Sequence, residues 1–173
     1  VMTSAEHERA SDRVAEVSAR DPADIVVMVQ GDEPMIRPEM VAAVIEPMKE
    51  DPGMLCVNLA APIRDEQELR DPNTIKVVTD GTGEALFFSR SPIPHQGRKP
   101  FAQGMWMKQV CVIAFRREAL KRFAELPQRR LEVAESVDML RFLENRIPVH
   151  VVPTDIVTQA VDTPEDLEKV TSL

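Results

Sequence analysis

Short β-branched runs alternate along the chain with stretches of helical spacing. Ile25-Val26-Val27-Met28-Val29 is continuously apolar and bounded by Asp24 and by Gln30-Gly31-Asp32, the pattern of a strand buried on both faces. After Pro38, the apolar residues Met40, Val41, Val44, Ile45 and Met48 keep a helical spacing that stops at Asp51-Pro52-Gly53. A second strand runs from Leu55 to Leu59. This strand–helix–strand order predicts parallel strands joined by a right-handed crossover.

Farther on, Ile75-Lys76-Val77-Val78-Thr79 and Ala85-Leu86-Phe87-Phe88 flank Asp80-Gly81-Thr82-Gly83, an Asp-Gly turn that predicts a β-hairpin. Residues 89–104 are rich in proline, glycine and basic side chains and read as a long surface loop. A strand over 110–115 follows, then helices over 117–125 and 132–144 separated by Pro127, then a strand over 149–152. The final helix opens at Asp162-Thr163-Pro164-Glu165-Asp166, with Thr163 as N-cap, Pro164 in the first position and acids in the first turn. The whole predicts an α/β fold, a mostly parallel mixed sheet with a β-hairpin insertion.

At 173 residues the chain fits one domain, 1–173. Its longest apolar stretches fall far short of the roughly 20 residues of a membrane helix, so no membrane span is expected. The formal charge of −8 has the wrong sign for a general nucleic-acid binder. A polyanionic substrate therefore requires a local basic patch or a metal ion. Cys56 and Cys111 sit in apolar runs and form neither a metal quartet nor a disulfide framework, so a reducing cytoplasm is expected. The chain opens on Val1 in mid-pattern, which predicts native sequence before it.

Ligands of open α/β sheets sit beyond the carboxyl ends of the strands, where Asp32 is placed. The plain alternative is a strand-end turn in which Asp32 and Glu33 cap and meet solvent. Asp162 has a similar ambiguity, since an acid beside a helix start also favours the macrodipole. Two carboxylates distant in sequence could converge on one Mg2+, a hard ion commonly shared with substrate phosphates.

The residues also carry a family resemblance. Val29-Gln30-Gly31-Asp32-Glu33-Pro34-Met35, Asp71-Pro72-Asn73 with Lys76-Val77-Val78, Leu86-Phe87-Phe88-Ser89-Arg90 with Ile93-Pro94, Leu131-Glu132 with Glu135-Ser136, and Val161-Asp162-Thr163-Pro164-Glu165-Asp166-Leu167 occur in one order and spacing. Together they resemble the cytidylyltransferases that activate eight- and nine-carbon sugar acids, most closely the CMP-Kdo synthetases (3-deoxy-manno-octulosonate cytidylyltransferases). The resemblance implies a Rossmann-like nucleotidyltransferase fold and transfer of CMP from CTP to a Kdo-like sugar acid with release of pyrophosphate. It further implies a cytoplasmic homodimer acting in cell-surface polysaccharide synthesis. By the same resemblance Asp32 and Asp162 bind Mg2+, Gln30 and Arg90 face the sugar acid, Arg90 pairs with its carboxylate, and Lys76 matches a family lysine. A solvated strand residue is the equal alternative for Lys76.

The chain also departs from that pattern. Where the family has His-x-Ser-Gly-Thr-(Asp/Glu)-Arg near the cytosine site, this chain has His7-Glu8-Arg9-Ala10-Ser11-Asp12-Arg13, so Arg9, Ala10, Ser11 and Arg13 are the expected nucleotide contacts. The lost glycine removes a place where backbone can approach a base. Gln109 and Ile113 stand where the family shows histidine and tyrosine, and Asp138-Met139 where it shows Glu-Gln. These four sugar-facing changes point to the same chemistry with another ulosonic acid or nucleotide. The family's N-terminal strand and glycine-rich phosphate loop do not precede Val1, so the fragment is expected to be inactive alone unless the parent supplies them. A non-catalytic dimerising or binding module of the same fold is the remaining alternative.

Other residues read more plainly. His95, Arg98 and Lys99 belong to a solvated loop, and His7 and His150 have no assignable partner. Cys111 is a small core residue with no adjacent histidine. Glu135 and Asp138 share a solvated helix face. Met105, Trp106 and Met107 form core or a subunit interface.

Overall fold

A computed structural model describes residues 1–173 apart from 96, 98, 99, 162 and 173, together with the side chain of residue 169. The elements in chain order are α1 (Ala10–Ser18), β1 (Ile25–Val29), α2 (Pro38–Glu50), β2 (Cys56–Pro62), α3 (Glu66–Arg70), β3 (Lys76–Thr79) and β4 (Ala85–Ser89). They continue with β5 (Met107–Arg116), α4 (Arg117–Glu125), α5 (Arg130–Glu135), α6 (Met139–Glu144), β6 (His150–Pro153) and α7 (Pro164–Thr171).

The six strands form one sheet in the order β4-β3-β5-β2-β6, with β1 also pairing β5. β5 runs antiparallel to β1, β2 and β3, and β3 to β4, so only the β2–β6 ladder among the described residues is parallel. The expected parallel character thus needs correction. β1 and β2 do run the same way across the α2 crossover, but β5 lies reversed between them, with Ala114 opposite both Val27 and Val57. Apolar alternation is identical in either strand direction, so the sequence pattern carries no sign of this reversal.

That alternation sorts β5 onto two cores. Val110, Val112 and Ala114 are fully buried with Met40, Val44 and Met48 of α2. On the other face, Ile113 and Phe115 pack with Met139, Leu140 and Phe142 of α6 and Phe123 of α4. Each fully buried large side chain contributes about 1.5–3 kcal/mol, so the sheet is held from both faces.

A third, small core joins Ile63, Leu69 and Trp106, with Phe101 stacked on Trp106 at 5.3 Å between ring centroids. Part of the expected surface loop is therefore packed: Trp106 is buried and donates from Nε1 to the Pro94 carbonyl. Met105 beside it is exposed, as is His95, whereas Arg98 and Lys99 lie outside the described residues.

The single helix expected over 132–144 is two helices. Ser136 ends α5 at φ 54°, ψ 48°, and α6 starts afresh at Met139. Both α1 and α3 were without an expectation. The buried face of α1 consists of Ser11, Ala15 and Ser18, too small and polar to show as an apolar stripe. The hairpin turn is as expected, with Asp80 Oδ1 accepting from the amides of Thr82 and Glu84, and the Thr82 bonds hold the Asp80 carboxyl below the usual carboxylate range. Thr163 Oγ1 accepts from the Asp166 amide while Asp166 Oδ2 accepts from the Thr163 amide, a capping box that starts α7. Among the described residues no helix is long and apolar enough to cross a membrane.

Candidate active site

The carboxyl end of β1 delivers Gln30 and Asp32 to a cleft of about 660 Å3. The amino half of β5 supplies Lys108, Gln109 and Cys111, the turn after β2 supplies Arg64, and segments 71–75 and 157–160 complete the walls. The Gln30 amide donates to the Cys111 carbonyl, so the β1–β5 ladder extends to the cleft edge. Gln109 donates from Nε2 to Asn58 Oδ1 at 2.6 Å, and buried Asn58 donates in turn to the carbonyls of Leu59 and Val110. This places the amide on a rigid mount at the β2 bulge between Asn58 and Ala60.

Asp32 is half-buried, and its Oδ1 is fully buried with no hydrogen-bond partner among the described residues. Its backbone carbonyl accepts from the Val161 amide at 2.8 Å, which draws the 157–161 segment against it. Thr158, 6% exposed, also has an Oγ1 without a partner. An unpaired buried carboxylate oxygen is costly unless something positive meets it. A hard oxygen donor of this kind suits Mg2+, which takes one or two carboxylates and completes its shell with water and substrate phosphate. Asp162, the second expected metal ligand, follows Val161 in the chain and lies outside the described residues. Among the described residues no group of three His, Cys, Asp or Glu side chains is assembled to hold a metal by itself.

Among the described residues the lining carries more acid than base, with Asp32, Glu33, Asp65, Glu68, Asp71 and Asp166 against Arg64, Arg90 and Lys108. Lys108, which the sequence reading did not single out, ties two walls together through Glu68 Oε1 at 2.5 Å and the Thr158 carbonyl at 3.0 Å. Its adjacency to Gln109 in a strand was the only available signal.

Of two expected substrate contacts, one has other work and the other is partly committed to backbone. Lys76 is fully buried and donates from Nζ to the carbonyls of Asp71, Thr74 and Arg90, each at 2.7 Å. With three protons on three acceptors it fixes the 71–75 wall, so its assignment to the substrate is corrected to positioning. Burial lowers its pKa, against the pull of Asp71. Arg90 lines the cleft, yet its guanidinium donates to the carbonyls of Glu135, Pro72 and Ser136. Three of its five N–H groups are thereby committed to backbone.

Ile113 and Met139 require correction as well. They are 2% and 0% exposed and belong to the core below the sheet, where the Cys56 thiol approaches Met139 sulfur at 3.8 Å. Burial pushes the Cys56 thiol pKa up. Cys111 is only half-buried and borders the cleft, so it is not the core residue expected.

Asp138 does not line the cleft. Its Oδ2 accepts from the amide and hydroxyl of Ser11, capping the first turn of α1, and Arg9 stands 3.8 Å from its Oδ1. Ser11 is fully buried, and Ala10 begins the same helix. Arg9 donates to Ser136 Oγ, and Arg13 holds the amino-terminal segment through Thr3 Oγ1 and the Ser4 carbonyl. Arg9, 3.7 Å from Glu132 Oε1, and Ser11 thus join a second cluster around Arg141, whose guanidinium meets both Glu132 oxygens and Asp12 and lies 4.0 Å from the Phe123 ring centroid. Burial works to lower the Arg141 pKa, but Glu132 and Asp12 overcome it and the net shift is upward. Glu135 likewise is no free surface acid, since it accepts from Ser89 Oγ and the Arg90 amide.

The cytidylyltransferase family model matches residues 1–152. The 3-deoxy-manno-octulosonate cytidylyltransferase of Syntrophotalea carbinolica is 44% identical over 177 residues, covering 98% of this chain and 70% of that protein. The protein of the same name from Solibacter usitatus is 42% identical, covering 99% and 68%. The structure of CMP:2-keto-3-deoxy-manno-octonic acid synthetase complexed with CTP superposes with a TM-score of 0.88 at 38% identity, covering 99% of this chain and 70% of that one. A glucose-1-phosphate thymidylyltransferase from Bacillus anthracis, described as putative, shares the fold at TM-score 0.64 and 9% identity.

Proposed function

The chain belongs to the 3-deoxy-manno-octulosonate cytidylyltransferases, a nucleotidyltransferase family, and from that premise we propose that it transfers CMP from CTP to 3-deoxy-manno-octulosonate (Kdo) with Mg2+. The observation that carries the proposal is the buried Asp32 Oδ1, without a hydrogen-bond partner among the described residues, in a cleft also lined by Gln30 and Gln109. The relatives' names support Kdo as the acceptor and CTP as the donor.

In the proposed reaction the anomeric hydroxyl oxygen of Kdo attacks the α-phosphorus of CTP. A new O–P bond forms as the bond to the β-phosphate oxygen breaks, pyrophosphate leaves with the electron pair, and the hydroxyl proton passes to solvent. Asp32 and, by the resemblance, Asp162 would hold Mg2+, which would supply charge to offset the repulsion between the anionic acceptor and the phosphates. Gln30 and Gln109 orient sugar hydroxyls by neutral hydrogen bonds, and Lys76 and Arg90 keep the 71–75 wall in place. The proposal includes a cytoplasmic homodimer that buries exposed Met105, 54% accessible in the single chain, and a role in cell-surface polysaccharide synthesis.

The test is phosphorus NMR of the full-length protein with CTP, Kdo and Mg2+. Pyrophosphate and CMP-Kdo resonances are expected to grow together. Asp32→Asn is expected to slow them by at least about 100-fold, the scale of a lost electrostatic group at a reacting phosphate. Wild-type turnover retained in Asp32→Asn overturns the assignment of Asp32.

A further inference from the structure

Gln109 reaches the cleft from β5, and among the described residues its side-chain amide is held by Asn58 alone. Asn58 is 1% exposed and stands where the β2–β5 register shifts, with Val110, Cys111 and Val112 of β5 set against Leu59. Its Nδ2 donates to the Leu59 and Val110 carbonyls at 2.7 and 3.0 Å. A carbonyl oxygen accepts and cannot donate, so these two partners decide which end of the Asn58 amide faces them. Oδ1 is thereby turned toward Gln109, which must answer with a donor, and Nε2 does so at 2.6 Å. Gln109 Oε1 accepts no hydrogen bond among the described residues.

A free glutamine amide can turn and offer either its oxygen or its nitrogen, so it does not tell a hydroxyl that donates from a group that only accepts. We infer that Asn58 is a positioning residue for the choice of acceptor sugar: by holding Gln109 through its nitrogen, it leaves the Gln109 carbonyl oxygen for a sugar hydroxyl that donates. The inference rests on the functional reading above and extends it to a residue that does not itself line the cleft. An amide already turned gives up less freedom on binding, and it rejects a ligand that leaves its oxygen unpaired.

Turnover of the full-length protein with Kdo and with analogues bearing fluorine in place of one hydroxyl tests it, because fluorine fills the site and cannot donate. One analogue is expected to lose at least about tenfold in kcat/KM relative to Kdo, the scale of a polar group left unpaired. Gln109→Met and Asn58→Ala are each expected to bring that ratio down to about twofold or less, and Asn58→Ala added to Gln109→Met to leave it where Gln109→Met put it. A general loss of stability slows Kdo and analogue alike and does not move the ratio. A ratio retained in Gln109→Met or in folded Asn58→Ala, or no analogue rejected by the unsubstituted protein, overturns the inference and leaves the functional reading standing. Side-chain amide NMR of the unsubstituted protein needs no variant: the Gln109 Nε2 hydrogen on Asn58 Oδ1 is expected to exchange at least about tenfold more slowly than that of an exposed glutamine, and unprotected exchange also overturns the inference. Failure of the unsubstituted protein to form CMP-Kdo overturns the functional reading and this inference with it.

Discussion

The cluster around Arg141 and the cleft around Asp32 use charge in opposite ways. In the cluster, Arg141 and Glu132 are almost wholly withdrawn from water, and their bonds, with Asp12 and the Phe123 face, answer each other. In the cleft, among the described residues, acids outnumber bases and Asp32 Oδ1 and Thr158 Oγ1 are buried without partners. A buried ion pair holds one arrangement of α1, α5 and α6, because breaking it strands a charge in apolar surroundings. Partnerless polar atoms do the reverse, costing stability that binding can recover. The first region fixes the fold and the second keeps capacity for a ligand.

The sharpest way to break this contrast is Glu132→Gln, which leaves Asp12 as the one acid paired with Arg141 among the described residues. Equilibrium urea unfolding is expected to show a loss of about 3–5 kcal/mol, the usual cost of removing one member of a buried pair. A loss below about 1 kcal/mol would show that the cluster does not hold the fold.

Lys76→Met comes next. It preserves the buried stem and strands the Asp71, Thr74 and Arg90 carbonyls, with an expected loss of about 2–3 kcal/mol on the same measurement. An unchanged midpoint would return Lys76 to the substrate role that the resemblance gave it.

The smallest effect is a pH dependence at the edge of the cluster. The Ser4 amide first, and then His7, hold the Glu16 carboxyl below the ordinary carboxylate range, so the folded chain favours the anion. That contribution is complete above the ordinary range and is lost as pH falls through the lowered value. Hydrogen exchange at the Ser4 amide is expected to quicken, beyond the intrinsic change, below about pH 4. Constant protection there would remove the link.

The two regions were not equally legible in the sequence. β1, α2 and the β3–β4 hairpin follow directly from apolar runs and an Asp-Gly turn. Gln30, Asp32, Arg90 and Gln109 do border one cleft, because each lies at or beside a strand end. The cluster was hidden, since its members are charged residues scattered from Arg9 to Arg141 and only the fold brings them together. Ile113 shares a face of β5 with Gln109 and Cys111, yet the cleft stops at Cys111 and Ile113 continues into the core. Position along a strand face is visible in a sequence, but depth beneath it is not. Lys76 failed in a related way, for nothing in a strand pattern shows that a long stem can bury its ammonium against three carbonyls.

Asp32→Asn tests the contrast most directly when stability and turnover are read on the same full-length protein. Removing the charge from a carboxylate with a partnerless buried oxygen should leave the unfolding midpoint at or above that of the unsubstituted protein, while Mg2+-dependent CMP-Kdo formation falls at least about 100-fold. A midpoint lowered as far as that of Glu132→Gln, with turnover retained, would contradict the account, because Asp32 would then belong with the charges that hold the fold.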